Sequence, residues 1–268
     1  MLRTAGRIAL ISSLFLLLAS TSPAQESGNE FHWKGTLPAD QILTIKDISG
    51  SIEATGVDGS QIEVDATKSG EDADQVHFQV VPSSDGVTIC AVFPTGRGGR
   101  NDCESGHGMH SETHDVHARA DFHIKVPRNL RFAAYNVNGS VDAQSLGRPV
   151  EASSVNGKVD VSTASYARAT SVNGSVRVRM GAADWQDTLD VKTVNGSIDL
   201  EMPANLAAEV TFRSINGGLT SDFPITTTEI SGRWGPKRIN GTIGSAANGR
   251  RLNVETVNGS VTIRRETM

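Results

Sequence analysis

Val137-Asn138-Gly139-Ser140-Val141 recurs as Val155-Asn156-Gly157-Lys158-Val159 and as Val172-Asn173-Gly174-Ser175-Val176. It returns as Val194-Asn195-Gly196-Ser197-Ile198, Ile215-Asn216-Gly217-Gly218-Leu219, Ile239-Asn240-Gly241-Thr242-Ile243 and Val257-Asn258-Gly259-Ser260-Val261. Ile48-Ser49-Gly50-Ser51-Ile52 is a degenerate early copy. The unit is apolar-Asn-Gly-x-apolar, and its asparagines lie 18, 17, 22, 21, 24 and 18 residues apart. A period near 20 marks a solenoid, whose repeats bury their apolar faces only by stacking on one another.

Asn-Gly is also the strongest short hairpin signal, because both residues tolerate positive φ. The two readings differ in side-chain direction. In a two-residue hairpin the residue before Asn and the apolar residue after x point to opposite faces. Here both are apolar in all seven copies, and a corner over Asn-Gly-x turns both inward. Beyond the corner the pattern alternates, as in Val159-Asp160-Val161 and Ile198-Asp199-Leu200, which is a strand with one buried face. The position four before each Asn is small or apolar (Ala134, Ala152, Ala169, Val191, Phe212, Val254), with Pro236 the exception. The fold class expected is all-β, a single-domain parallel β-solenoid with coils of about 20 residues. An antiparallel β-sandwich of hairpins is the alternative. Stacked strands lie about 4.8 Å apart, so the asparagines are expected to form an amide ladder. The seven Asn-Gly pairs are read as structural corners, with no catalytic residue among them.

The outward positions four after each Asn are Asp142, Asp160, Arg177, Asp199, Thr220, Gly244 and Thr262. They read as a solvated charge ladder rather than an acidic groove of a polysaccharide enzyme. Arg264-Arg265-Glu266 would place charges on an open sheet edge, a defence against end-to-end pairing.

The repeat accounts for the composition. Glycine is 27 of 268 residues, above the usual level of about 7%, while aromatics are only 5%, as a thin core of Val, Ile, Ala, Ser and Thr requires. The formal net charge is −5, and clustered Lys and Arg for phosphate contacts are missing, so no nucleic-acid partner is expected.

Residues 1–24 read as a signal peptide. Arg3 and Arg7 precede an apolar run from Ile8 to Ala19, too short for a spanning helix of about 20 residues. Ser22-Pro23-Ala24 supplies small residues before a cleavage site at Gln25. The remaining chain, 25–268, is one solenoid domain with no further membrane span and an irregular, loop-rich insert at 66–115. Export to the periplasm or cell surface suits a disulfide, and Cys90 and Cys103 are expected to close a short Gly/Arg-rich loop.

Five of the seven histidines, His107, His110, His114, His117 and His123, lie close together. Imidazole is the commonest metal ligand, so His107, His110, His114 and His117 are candidate Zn or Cu ligands. A polar loop without metal is the other reading, and the spacing matches no known signature. Trp33, Trp185 and Trp234 occupy turn-like surroundings, where they cover a coil end or stack on sugars. No nucleophile elbow, zincin, P-loop or dinucleotide motif is present.

The early Ile48-Ser49-Gly50-Ser51-Ile52 element, the Gly56-Val57-Asp58-Gly59 that follows, and the Val126-Pro127 turn into serial V-N-G-x-V units resemble the exported bacterial putative-adhesin repeat family, a domain of unknown function. The resemblance covers about residues 35–265. It implies a β-repeat architecture with a variable loop before the Val-Pro turn, and no catalytic residues. The function expected is a non-enzymatic scaffold for adhesion or interaction at the cell surface or in the periplasm. Its partner would be a cell-envelope component, a polysaccharide, a protein or a second copy of the chain. A periplasmic metal-binding module built on 103–123 is the alternative.

Overall fold

The computed structural model describes residues 24–95, 101–108, 115–231, 237–245 and 249–266. Residues 1–23 of the export segment, His110, His114 and Trp234 lie outside the described residues.

Ahead of the regular array come β1 (Gln25–Ser27), β2 (Glu30–Thr36), β3 (Ile42–Ser49), β4 (Ile52–Val57) and β5 (Gln61–Gly70). They are followed by β6 (His77–Ser83), β7 (Gly86–Val92) and β8 (Ala118–Pro127). The array runs through β9 (Arg131–Asn138), β10 (Val141–Leu146), β11 (Val150–Asn156), β12 (Val159–Thr163), β13 (Ala167–Ser171), β14 (Val176–Met180), β15 (Thr188–Lys192) and β16 (Ile198–Met202). The last part holds β17 (Ala208–Asn216), β18 (Leu219–Ser221), β19 (Ile225–Ser231), β20 (Lys237–Ile243), β21 (Arg251–Asn258) and β22 (Val261–Arg265).

These strands form two long sheets, and each regular coil contributes one parallel strand to each. The first sheet has the order β1-β2-β5-β8-β4-β10-β12-β14-β16-β22-β18. The second has the order β19-β20-β17-β21-β15-β13-β11-β9-β3-β7-β6. The architecture is therefore the β-solenoid, not a sandwich of hairpins. Equivalent residues stack on equivalent residues, as Val141 on Val159, Val159 on Val176 and Val176 on Ile198. The core between the sheets is the inward row of each strand, such as Val159 and Val161 from one sheet and Ala152 and Ala169 from the other.

The coils do not stack in chain order. The coil of β21 and β22 lies between those of β15–β16 and β17–β18. Val254 pairs with Val191 on one side and Phe212 on the other. Ile263 pairs with Leu200 and with Ser221. The β3–β4 coil is likewise held between β7–β8 and β9–β10. The charged end at Arg264-Arg265 is therefore not an open edge. β22 is paired on both sides because Val261 and Ile263 are fully buried there, and Arg264 lies 3.4 Å from Asp199 on the neighbouring rung. Antiparallel strands close three of the four sheet ends, with β2, β5 and β8 in the first sheet and β6 on β7 and β19–β20 on β17 in the second, while the first sheet ends at its other side on the short parallel β18.

Within 66–115, β5 extends to Gly70 and the antiparallel β6–β7 pair adds two ladder strands, so the segment holds more regular structure than its polar composition suggests. Three of the few aromatics cluster near the β2 end of the core. Phe31 stacks on Phe78 at 4.6 Å, and Phe78 meets Phe122 edge-on at 5.6 Å. Trp33 and Trp185 are buried, and the Trp185 indole donates to the Arg251 carbonyl at 3.1 Å. Neither ring offers a face to a sugar.

Candidate functional site

The asparagine corner is the most regular surface of the molecule. The Asn156 side chain donates to Asn138 Oδ1, Asn173 to Asn156 and Asn195 to Asn173, each at 2.8 Å. Asn258 then donates to Asn195 at 2.7 Å and Asn216 to Asn258 at 2.8 Å. Six amides thus form one chain, in the order of the stack rather than of the sequence. Beside each amide the corner glycine lies against the backbone of the next rung. A Cβ on Gly157 would overlap the Gly139 carbonyl, and one on Gly174 the Gly157 carbonyl. Gly139, Gly196, Gly217 and Gly259 meet the same close approach.

A second ladder lies just inside the first. The residue two before each Asn is buried and polar: Asn136, Ser154, Ser171, Thr193, Ser214 and Thr256. Ser154 donates to the Gly139 carbonyl, Ser171 to Gly157, Thr193 to Gly174 and Thr256 to Gly196, at 2.8–3.0 Å. Asn136 donates to the Gly50 carbonyl at 2.8 Å. These bonds satisfy carbonyls that the corner turns away from the strand ladders. The signal was present in the sequence as Ser or Thr two before Asn in five of the seven copies, but periodicity alone does not separate a buried hydroxyl from a solvated one.

In four of the corners the residue before Asn does not turn inward, while Val137 and Val257 are half-buried and Val137 packs against the core. Val155, Val172, Val194 and Ile215 are exposed, between 38% and 49%. Strand alternation runs on through the position two before Asn, which is inward, so the next residue must face out. The reversal happens across Gly-x, and the apolar residue after x is buried, as at Val159, Val176 and Ile198. A stripe of branched apolar side chains therefore runs beside the amides.

Asn240-Gly241 is no corner. It lies inside β20, where Asn240 pairs with Thr211 and Glu229 in antiparallel ladders. The slot two before it, which needs a small buried donor, holds Arg238, and that side chain is exposed.

Along the first sheet the outward column is Asp142, Asp160, Arg177, Asp199, Thr262 and Thr220. Asp160 takes Lys158 at 2.6 Å and Arg177 at 3.6 Å. Asp142 and Asp160 are neighbours of like charge, and Lys158 and Arg177 beside Asp160 offset their repulsion.

The loop ahead of β8 crosses the outer face of the second sheet. Cys90 and Cys103 are joined by a disulfide. Lys46 donates to the Glu104 carbonyl at 2.8 Å, and burial lowers its pKa. Tyr135 donates to Glu151 at 2.8 Å, and burial, then the Glu151 carboxylate, raises the phenol pKa. His107 Nδ1 lies 3.0 Å from Glu151. Thr44, Lys46, Thr88 and Tyr135 are buried beneath this loop although they face away from the core. His117 is elsewhere, its backbone amide donating to Asp72, and His123 lies 3.2 Å from Glu53. Among the described residues no group of three or more His, Cys, Asp or Glu is placed to hold a metal ion. Cys103 is committed to its disulfide.

Two parallel walls joined at an asparagine corner define a stacked-coil β protein. Residues 36–264 match the Toastrack DUF4097 family, and the chain belongs to that family. It is similar to a solved structure of a putative cell adhesion protein from Clostridium sporogenes, with 10% identity over 88% of this chain and 99% of that one, at a TM-score of 0.44. It is also similar to a putative adhesin from Bacteroides fragilis, with 12% identity over 90% and 98%, at a TM-score of 0.35. No curated protein matches the chain. No helix among the described residues is long and apolar enough to cross a membrane.

Proposed function

We propose that the protein is an exported, non-enzymatic scaffold whose asparagine corner binds a linear polysaccharide of the cell envelope. The observation that carries the reading is a continuous amide ladder beside a row of branched apolar side chains, of which Val155, Val172, Val194 and Ile215 are exposed. Each of the four interior asparagines spends one N–H and one lone pair on its neighbours and keeps one of each for a ligand. A chain of sugars offers repeating hydroxyls to such amides and C–H faces to such a stripe. Export rests on the Arg3/Arg7 and Ile8–Ala19 pattern of the first 24 residues. N-terminal sequencing of protein recovered outside the cytoplasm should begin at Gln25.

Binding is tested by co-sedimentation of the purified protein with peptidoglycan and with purified envelope polysaccharide. Val155→Asp and Val172→Asp alter exposed side chains, so both variants should fold. Retention of wild type with loss in both variants supports the corner. Binding equal in all three, or binding only to envelope protein, rejects it.

A further inference from the structure

The stripe deepens into a groove at one end of the corner. Val194, Val257 and Ile215 lie on three adjacent rungs, because Asn195, Asn258 and Asn216 are consecutive in the amide ladder. Together with Ser231, Lys237 and Arg238 of the β19–β20 pair they line a cavity of about 520 Å³, within the ~300–1,000 Å³ typical of small-molecule sites.

The rim is strongly cationic for a chain of net charge −5. Lys192, Arg213, Lys237 and Arg238 line the cavity against one carboxylate among the described residues, that of Glu255. Two of these cations are already neutralised: Arg213 lies 3.1 Å from Glu255, and Lys192 lies 3.0 Å from Asp190. The other two contact only neutral oxygens among the described residues. Lys237 donates to the Gly217 carbonyl at 3.2 Å, and Arg238 to Asn240 Oδ1 at 3.4 Å. An apolar floor beside two unneutralised cations is complementary to a ligand with an apolar tail and one anionic head. A neutral sugar has no use for the cations, and an inorganic anion has none for the floor.

We infer that this groove binds a single-chain amphipathic anion of the fatty-acid class, with its carboxylate at Lys237 and Arg238 and its chain along Val257, Val194 and Ile215. The site is independent of the polysaccharide reading, whose test uses Val155 and Val172 outside the groove.

The test is fluorescence titration of the purified protein with anilinonaphthalene sulfonate, followed by displacement with dodecanoate and, separately, dodecanol. Dodecanoate should displace the probe and dodecanol should need at least about ten times the concentration. The exposed charge reversal Lys237→Glu/Arg238→Glu should weaken dodecanoate by about tenfold or more, and less so at high salt. Ile215→Ser should weaken dodecanoate and dodecanol together. Circular dichroism melts matching wild type show that the variants fold. Equal displacement by acid and alcohol, or dodecanoate affinity unchanged in the charge-reversal variant, overturns the assignment.

Discussion

Asn258 donates its side-chain amide to Asn195 at 2.7 Å although 63 positions separate them. Asn216, only 21 positions from Asn195, is one rung further away and bonds to Asn258 instead. The final coil is thus an interior member of the stack. A chain ending at residue 245 should lose its cooperative thermal transition altogether, because Leu200 and Phe212 both lose the rung between them. Loss of a terminal coil in an ordinary solenoid costs one repeat and one interface. A truncated chain that melts cooperatively within a few degrees of wild type would contradict the stacking order.

The corner glycines predict a sharp contrast between two alanine substitutions. Gly174→Ala forces a methyl group into the Gly157 carbonyl and should cost about 2–4 kcal/mol in urea denaturation. Gly218→Ala meets nothing within 4 Å and should stay within about 0.5 kcal/mol of wild type. Equal effects would mean that the rungs are not in backbone contact at the corner.

The buried hydroxyls predict a second contrast. Ser171 donates to the Gly157 carbonyl, so Ser171→Ala should cost about 1–2 kcal/mol. Ser214 Oγ is buried without a hydrogen-bond partner, so Ser214→Ala should be close to neutral. Chemical denaturation of both variants measures the difference.

Asp47 fills the same inner slot on the β3 rung, paired with Asn136, and neither carboxylate oxygen has a partner. Burial raises its pKa well above the ordinary carboxylate value. Asp121 adds to the rise, while the nearby Ile48 and Ser49 backbone amides, which do not reach hydrogen-bond geometry, and the charge of Arg119 oppose it. A raised folded-state pKa contributes stability that is whole below the unfolded pKa, near 3.8, and is lost as pH climbs through the folded value. Asp47→Asn should therefore be more stable than wild type at pH 7, by about 1–3 kcal/mol. The advantage should vanish near pH 4. A gap that is the same at both pH values would show that proton uptake at Asp47 is not involved.

The Cys90–Cys103 bridge closes a 13-residue separation and holds the loop over Thr44, Thr88 and Tyr135. Reduction, or Cys90→Ser/Cys103→Ser, should lower stability by about 2–3 kcal/mol. Hydrogen exchange should rise first in β3 and β7, whose outer faces the loop covers. No change in those strands on reduction would show that other contacts hold the loop.

The solenoid was legible because its decisive signals are local: a short motif, a period near 20 and alternation on either side. The disulfide was legible for a similar reason, since Cys90 ends a strand-like run and Cys103 follows in the adjoining loop. The order of the coils was not legible. The corners from β9 onward carry the same apolar-Asn-Gly and the same register, so the β21–β22 coil matches β15–β16 as well as β17–β18 does, and sequence adjacency favoured the wrong neighbour. Asn240-Gly241 misled for the opposite reason. Its local motif is intact, but Arg238 stands where the stack needs a buried donor. The groove rim was invisible because Lys192, Arg213 and Lys237 come together only through the stacking order.

The displaced coils also constrain how such a chain changes by descent. A solenoid whose rungs follow its gene from end to end can gain or lose a repeat by simple duplication or deletion, since the newcomer stacks on the previous last rung. Here the chain's last repeat is flanked on both sides, and the β3–β4 coil near its beginning is too. A repeat added after residue 265 could not stack on β22, which is already enclosed, and antiparallel strands occupy both ends of the second sheet, so the short β18 is the one parallel edge among the described residues. Repeat number in this lineage is accordingly tied to the whole arrangement, and length variation should collect in the segment before the Val126-Pro127 turn, where the chain leaves the stack and returns to it.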